Sequence, residues 1–191
     1  MTTNKKVAVM LANGFEEIEA LTVVDVLRRA NIDCDTVSIH EELVESCHGV
    51  QVKSDKHIDN IDKDSYDMIV LPGGLPGADY LRDCAELISW IQDFSKNSNK
   101  YIAAICAAPQ VLAKAGIEKG RKVTSYPGNI FREILKDANY IEDLVVVDGN
   151  IITSRGPATA MSFAYKLVDI LDGNSEALKS GMLYNMISKE N

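Results

Sequence analysis

Basic charge is in short supply in this chain. Twenty Lys and Arg stand against 28 Asp and Glu, a net charge of −8, so the positive stripe that neutralises phosphates is missing. Nucleic acid and anionic membranes are therefore disfavoured as partners. Long apolar runs are also absent. None approaches the roughly 20 residues that cross a bilayer, and the opening MTTNKK passes into a strand-like segment without a signal-peptide core. The expectation is a soluble, cytoplasmic protein. The four cysteines, Cys34, Cys47, Cys84 and Cys106, contain no C-x-x-C, which excludes a zinc ribbon or a thioredoxin motif. A cytosolic setting would keep these thiols reduced. No G-K-S/T phosphate loop and no G-x-G-x-x-G follows a strand-like run. His40, His48 and His57 all precede Cys106 and read as surface or structural. Cys47-His48 has no partner pair at ligand spacing, so neither metal nor cofactor is expected.

What is present is enough apolar residue, 46% against 25% charged, to close one core. Residues 1–191 read as a single domain without repeat, linker or low-complexity tract. Buried strand patterns at Lys6–Leu11, Cys34–Ile39, Asp67–Leu71 and Tyr101–Ile105 alternate with helical patterns at Glu16–Ala30, Leu81–Ser95 and Ala108–Ala115. Leu43–Glu45 and Val50–Lys53 read as a polar hairpin beside the sheet. Later elements are Val123–Tyr126, a helix over Asn129–Lys136, and a hairpin of Leu144–Val147 with Ile151–Ser154 around Asp148-Gly149-Asn150. Helices over Pro157–Asp172 and Ser175–Ser188 close the chain. This rhythm predicts an α/β, doubly wound, mostly parallel sheet sandwich. Ligands of such folds bind beyond the carboxyl ends of the strands, which directs attention to Gly14–Glu19, Gly73–Ala78, Cys106, Tyr126 and Ser154–Gly156.

Cys106 follows an apolar strand and runs into a helix with no spare loop residue, the pattern of a nucleophile elbow. Ala103, Ala104, Ala107 and Ala108 would let such a turn close. A thiol at a helix start would be favoured as thiolate. On spacing alone, a buried structural cysteine is equally well supported. Pro72-Gly73-Gly74-Leu75-Pro76-Gly77-Ala78 could present backbone N–H groups to a ligand or simply end a strand. Of Glu16, Glu17 and Glu19, at least two are expected to be surface charges. Ile18, Leu21 and Val24 would form the helix's apolar face, with Glu19 leaning toward the active edge. A carboxyl beside a thiolate would have its pKa raised and could move a proton.

VAVMLANGFEEIEA, IVLPGGLPGA, AAICAAP and TSRGPAT, in this order and spanning nearly the whole chain, together resemble the DJ-1/ThiJ/PfpI superfamily, in particular its DJ-1 and bacterial ThiJ (YajL-like) branch. The resemblance implies a flavodoxin-like sandwich, usually homodimeric, with Cys106 as reactive thiol and Glu19 as its carboxylic-acid neighbour. It also implies an oxyanion-like pocket from the N–H groups of Gly74 or Leu75 and of Ala107, bordered by Tyr126, Arg155, Gly156 and Pro157. The activity implied is cysteine-dependent and cofactor-free, of glyoxalase or deglycase type, converting a small reactive aldehyde such as methylglyoxal, or a glycated substrate, to a hydroxy acid. The alternatives are an oxidative-stress sensor or a redox-regulated, holdase-like chaperone acting through oxidation of Cys106. Tyr126 stands where several relatives carry His, and Ala107 where the peptidase branch does. With no His after Cys106, peptidase and glutamine amidotransferase chemistry are disfavoured.

Overall fold

The computed structural model describes residues 4 to 187. Side-chain alternation explains the centre of the fold. In β1 (Lys6–Leu11), Val7, Val9 and Leu11 enter one apolar cluster while Ala8 and Met10 enter another. A strand apolar on both faces must lie inside a sandwich. The chain continues through α1 (Glu17–Arg29), β2 (Asp33–Ser38), β3 (Leu43–Glu45), β4 (Gln51–Lys53), β5 (Lys56–His57) and β6 (Met68–Leu71). Next come α2 (Gly77–Asp83), α3 (Ala85–Ser95), β7 (Tyr101–Ile105), α4 (Pro109–Ala115), β8 (Lys122–Val123), α5 (Asn129–Ile134) and β9 (Asn139–Tyr140). The last elements are β10 (Val145–Asp148), β11 (Ile151–Ser154), α6 (Ala160–Ile170), α7 (Ser175–Gly181) and α8 (Tyr184–Ile187).

The main sheet runs β10-β11-β7-β6-β1-β2-β5, parallel except for the β10–β11 hairpin. Its major strands, β2-β1-β6-β7-β11, have the flavodoxin-like order 2-1-3-4-5. Helices α1 and α6 cover one face and α2, α3 and α4 the other. The chain leaves β1 toward one edge and returns to β6 on its other side. The carboxyl ends of β1, β6 and β7 therefore flank the topological switch point.

Several boundaries differ from the sequence reading for local reasons. The helix expected over Leu81–Ser95 is two helices, starting at Gly77 and broken at Cys84, whose ψ of 101° is extended. A three-residue turn, Cys106 to Ala108, separates β7 from α4, so the strand does not pass straight into the helix. The strand at 123–126 shrinks to Lys122–Val123, and Pro157–Thr159 forms a 3-10 turn ahead of α6. The last helix breaks at Leu183, whose φ is +61°; Ser188 lies outside the described residues. The buried face of α1 is also not the one expected. Glu19, Ala20, Val23, Val24, Val26 and Leu27 are buried, whereas Ile18 is 52% exposed. Glu19 thus points inward as an integral part of the buried stripe.

Candidate active site

The loops after four parallel strands are joined by main-chain hydrogen bonds into one surface. Glu16 N–H donates to the Gly73 carbonyl (2.9 Å) and Gly77 N–H to that of Gly14 (3.3 Å), linking the exits of β1 and β6. Cys106 N–H donates to the Ser154 carbonyl (3.1 Å), and Tyr126 N–H donates to the Cys106 carbonyl (2.8 Å). Held on both sides, Cys106 takes a φ of +64°, a left-handed conformation that costs a non-glycine residue of order 1–3 kcal/mol. This is a nucleophile elbow: a strained residue that the strand ends on either side hold in place.

Glu19 reaches the same point from the first turn of α1 and has no solvent exposure. Its Oε2 accepts from Gly73 N–H at 2.7 Å, while its Oε1 is buried without a hydrogen-bond partner. The crossing depends on glycine. A Cβ on Gly73 would lie 2.7 Å from Cys106 Cβ and 2.7 Å from Glu19 Oε2, and a Cβ on Gly74, at φ +85°, would lie 2.4 Å from Glu16 N. Burial raises the Glu19 pKa from 4.5 to about 7, opposed by its bonds to Cys106 and Gly73 and assisted by the charge of Glu16. Burial also raises the Cys106 thiol, as does the Glu19 carboxylate, while the N–H groups of Ala107 and Gly74 pull it down. Two acidic groups in one dry space cannot both ionise cheaply. The pair holds one negative charge readily and a second only at a cost.

The DJ-1/PfpI family model matches residues 5–170. Among curated relatives, Protein dj-1beta of Drosophila melanogaster is 39% identical over 175 residues, 91% of this chain and 92% of that protein. The chain belongs to the DJ-1/PfpI family. Protein DJ-1 homolog B of Arabidopsis thaliana is 37% identical over 181 residues, 93% of this chain, which spans only 41% of that longer protein. Among solved structures, oxidized Toxoplasma gondii DJ-1 superposes with a TM-score of 0.86 at 37% identity, covering 94% of this chain and 98% of its own.

Set against the family expectation, Cys106, Glu19, Gly74 and Ala107 do converge. Of the Gly74 and Leu75 N–H groups, that of Gly74 meets the thiol. The ring of Tyr126, exposed and set edge-on to Phe131, lies beside Gly156. Arg155 points its guanidinium at Thr124 Oγ1 (3.4 Å), and Pro157 opens the 3-10 turn that Thr159 fastens to the N–H groups of Arg155 and Gly156. Sequence reading missed the Ser154 carbonyl that fixes the elbow; the pairing of Ser154 with Ile105 in the sheet is the only signal that would have found it. Glu16, expected to be a surface charge, is buried against the β3–β4 turn, because Cys47 N–H donates to the Phe15 carbonyl (2.9 Å) and folds the hairpin over it. Histidine is absent from this centre among the described contacts: His40 accepts from Asn13 N–H, His48 meets Cys47 and Glu17, and His57 accepts from Asp59 N–H.

Stability should record the raised Glu19 pKa. A carboxyl at about 7 when folded and 4.5 when unfolded contributes its full stability below about 4.5 and loses it as pH rises through about 7. The stability of Glu19→Gln relative to wild type should therefore climb by of order 3 kcal/mol between those limits. Denaturant midpoints at pH 4.5 and pH 8 check this; a constant difference would refute the raised pKa.

Proposed function

We propose that this protein acts on small reactive aldehydes, a glyoxalase-like, cofactor-free reaction that converts a 2-oxoaldehyde such as methylglyoxal to a hydroxy acid. The observation that carries the reading is a buried carboxyl whose Oε1 has no partner, next to a thiol on a strained elbow. In the proposed reaction, Cys106 sulfur adds to the aldehyde carbon, and the thiol proton ends on the new hydroxyl of a hemithioacetal. The Ala107 and Gly74 N–H groups face the sulfur and would lie close to the oxygen that gains charge. Glu19 then removes the proton from the former aldehyde carbon and returns it to the adjacent carbon, while the hemithioacetal hydroxyl proton passes to the former ketone oxygen, so that a thioester beside a new hydroxyl results. The first carbon is oxidised, the second reduced, and no external electron acceptor is needed. Water cleaves the resulting thioester, releasing the hydroxy acid and the free thiol. Deglycation of an adduct would use the same thiol and carboxyl.

A second reading, a stress sensor acting through Cys106 oxidation, is favoured by the solved structure of the oxidized Toxoplasma gondii relative. A sulfinate at Cys106 would accept the Glu19 O–H and the neighbouring backbone N–H groups. A cytoplasmic setting, part of the same proposal, would keep the four unpaired cysteines reduced. The resemblance adds a homodimer, for which light scattering should give twice the 21.0 kDa chain mass; a monomer across a wide concentration range would defeat it.

Steady-state assays with methylglyoxal separate the readings. Cys106→Ser should abolish turnover, and Glu19→Gln should remove most of it, on the order of the 10²–10⁴-fold that a positioned acid–base group supplies, without loss of fold. Tyr126→Phe should alter KM modestly and leave kcat largely intact, since a phenol of reference pKa about 10 is a poor base near neutrality. Exhaustive chelation should change none of these rates. Absence of turnover in wild type, with a mass gain at Cys106 after mild peroxide, would leave the sensor reading in its place.

A further inference from the structure

We propose that Glu16, Glu17, Cys47 and His48 form a binding site for a divalent cation of zinc type, separate from the Cys106 centre and independent of the reaction proposed above. One ligand atom from each of the four residues lies within 4.8 Å of all the others. Sequence spacing concealed the set. Cys47-His48 has no second pair nearby in the chain, but the β3–β4 turn docks on the start of α1 through the Cys47–Phe15 backbone bond and the Phe15–Ser46 bridge. Two carboxylates thereby arrive from 31 residues upstream.

The separations that involve Cys47 and His48 come within about 0.3 Å of those in a tetrahedron. Zinc–ligand bonds of about 2.0–2.3 Å put tetrahedral ligands about 3.3–3.8 Å apart. Cys47 Sγ lies 3.2 Å from Glu16 Oε2, 3.7 Å from Glu17 Oε2 and 3.3 Å from His48 Nδ1. His48 Nδ1 lies 3.8 Å from Glu16 Oε2 and 3.0 Å from Glu17 Oε2. Thiolate, imidazole and two carboxylates are a donor set for zinc; calcium and magnesium would take oxygen alone.

The surroundings also leave the cation's place to a metal. Among the described residues, the salt bridges of Glu16 and Glu17 go to His48 alone, so no lysine or arginine fills the role. The two glutamate side chains are 10% and 18% exposed and His48 is 66% exposed, which gives a buried floor and an open entry. With His48 protonated beforehand, binding of one Zn2+ releases two protons to solvent, from the Cys47 thiol and the imidazolium, and the site's net charge of −1 is unchanged. Four protein ligands make this a closed site of the structural kind, clipping the hairpin turn to the helix that carries Glu19.

Competition between chelator-stripped protein and a chromogenic chelator for Zn2+ tests the proposal. Wild type and Cys106→Ser should each bind one Zn2+ per chain. Cys47→Ser and His48→Ala should lose more than the roughly 10–100-fold that removal of an outer partner costs, and Glu17→Gln should weaken binding as well. Both primary substitutions are on a solvent-accessible turn, and circular dichroism checks that they fold. Co2+ should give tetrahedral visible bands with a thiolate charge-transfer band in wild type and Cys106→Ser, and the charge-transfer band should vanish in Cys47→Ser. Failure of wild type to compete for Zn2+, equal binding by Cys47→Ser, or loss of binding in Cys106→Ser instead would each overturn the proposal.

Discussion

One residue held in an unfavourable backbone conformation organises the functional end of this molecule. Cys106 is at φ +64° because its N–H is tied to Ser154 and its carbonyl to Tyr126. The first of these ties exists only where β7 and β11 run in register, with Ile105 beside Ser154. The cost of the strain is met by the sheet, whose β6, β7 and β11 neighbours are buried on both faces. A thiol placed by a strained turn does not swing away on a flexible loop, so its distance from Glu19 is set by the sheet and by α1.

The second consequence is electrostatic. Gly73 and Gly74 let the chain pass so close that only hydrogen fits on their Cα atoms, and this crowding excludes water from the Glu19 carboxyl. Desolvation then opposes two charges at once. A carboxyl with one oxygen bonded to Gly73 and the other unpartnered is equipped to hold a proton toward whatever binds at Cys106. Aldehyde chemistry and capture of an oxidised sulfur draw on that same property, which is why the two readings share residues.

Much of this was legible in the sequence where the cause is local. The strands at Lys6–Leu11 and Tyr101–Ile105 follow from short apolar runs buried on both faces. Cys106 stood out because an apolar strand stopped at it, and the family motifs identified Glu19. What was hidden is non-local. Of Ile18, Leu21 and Val24, which looked like the apolar face of α1, Val24 is buried but Ile18 is exposed, and the packing against α6 buries Ala20, Val23 and Leu27 as well and turns Glu19 inward. Glu16 was taken for a solvent charge because nothing near it in the chain foretells that the Cys47 turn, 31 residues on, covers it. The three-residue turn between β7 and α4 was also unreadable, since turn and first-turn helix residues differ only by backbone angle.

The central claim is that geometry makes Cys106 the reactive thiol of the four. Cys34 is buried, and of the three half-buried thiols, Cys47, Cys84 and Cys106, only Cys106 sits on a strained positive-φ elbow between two strand ends. The most direct measurement is peptide mapping after brief alkylation with less than one equivalent of reagent. The account predicts that Cys106 carries the label first. Prior labelling of Cys34, Cys47 or Cys84 would contradict it.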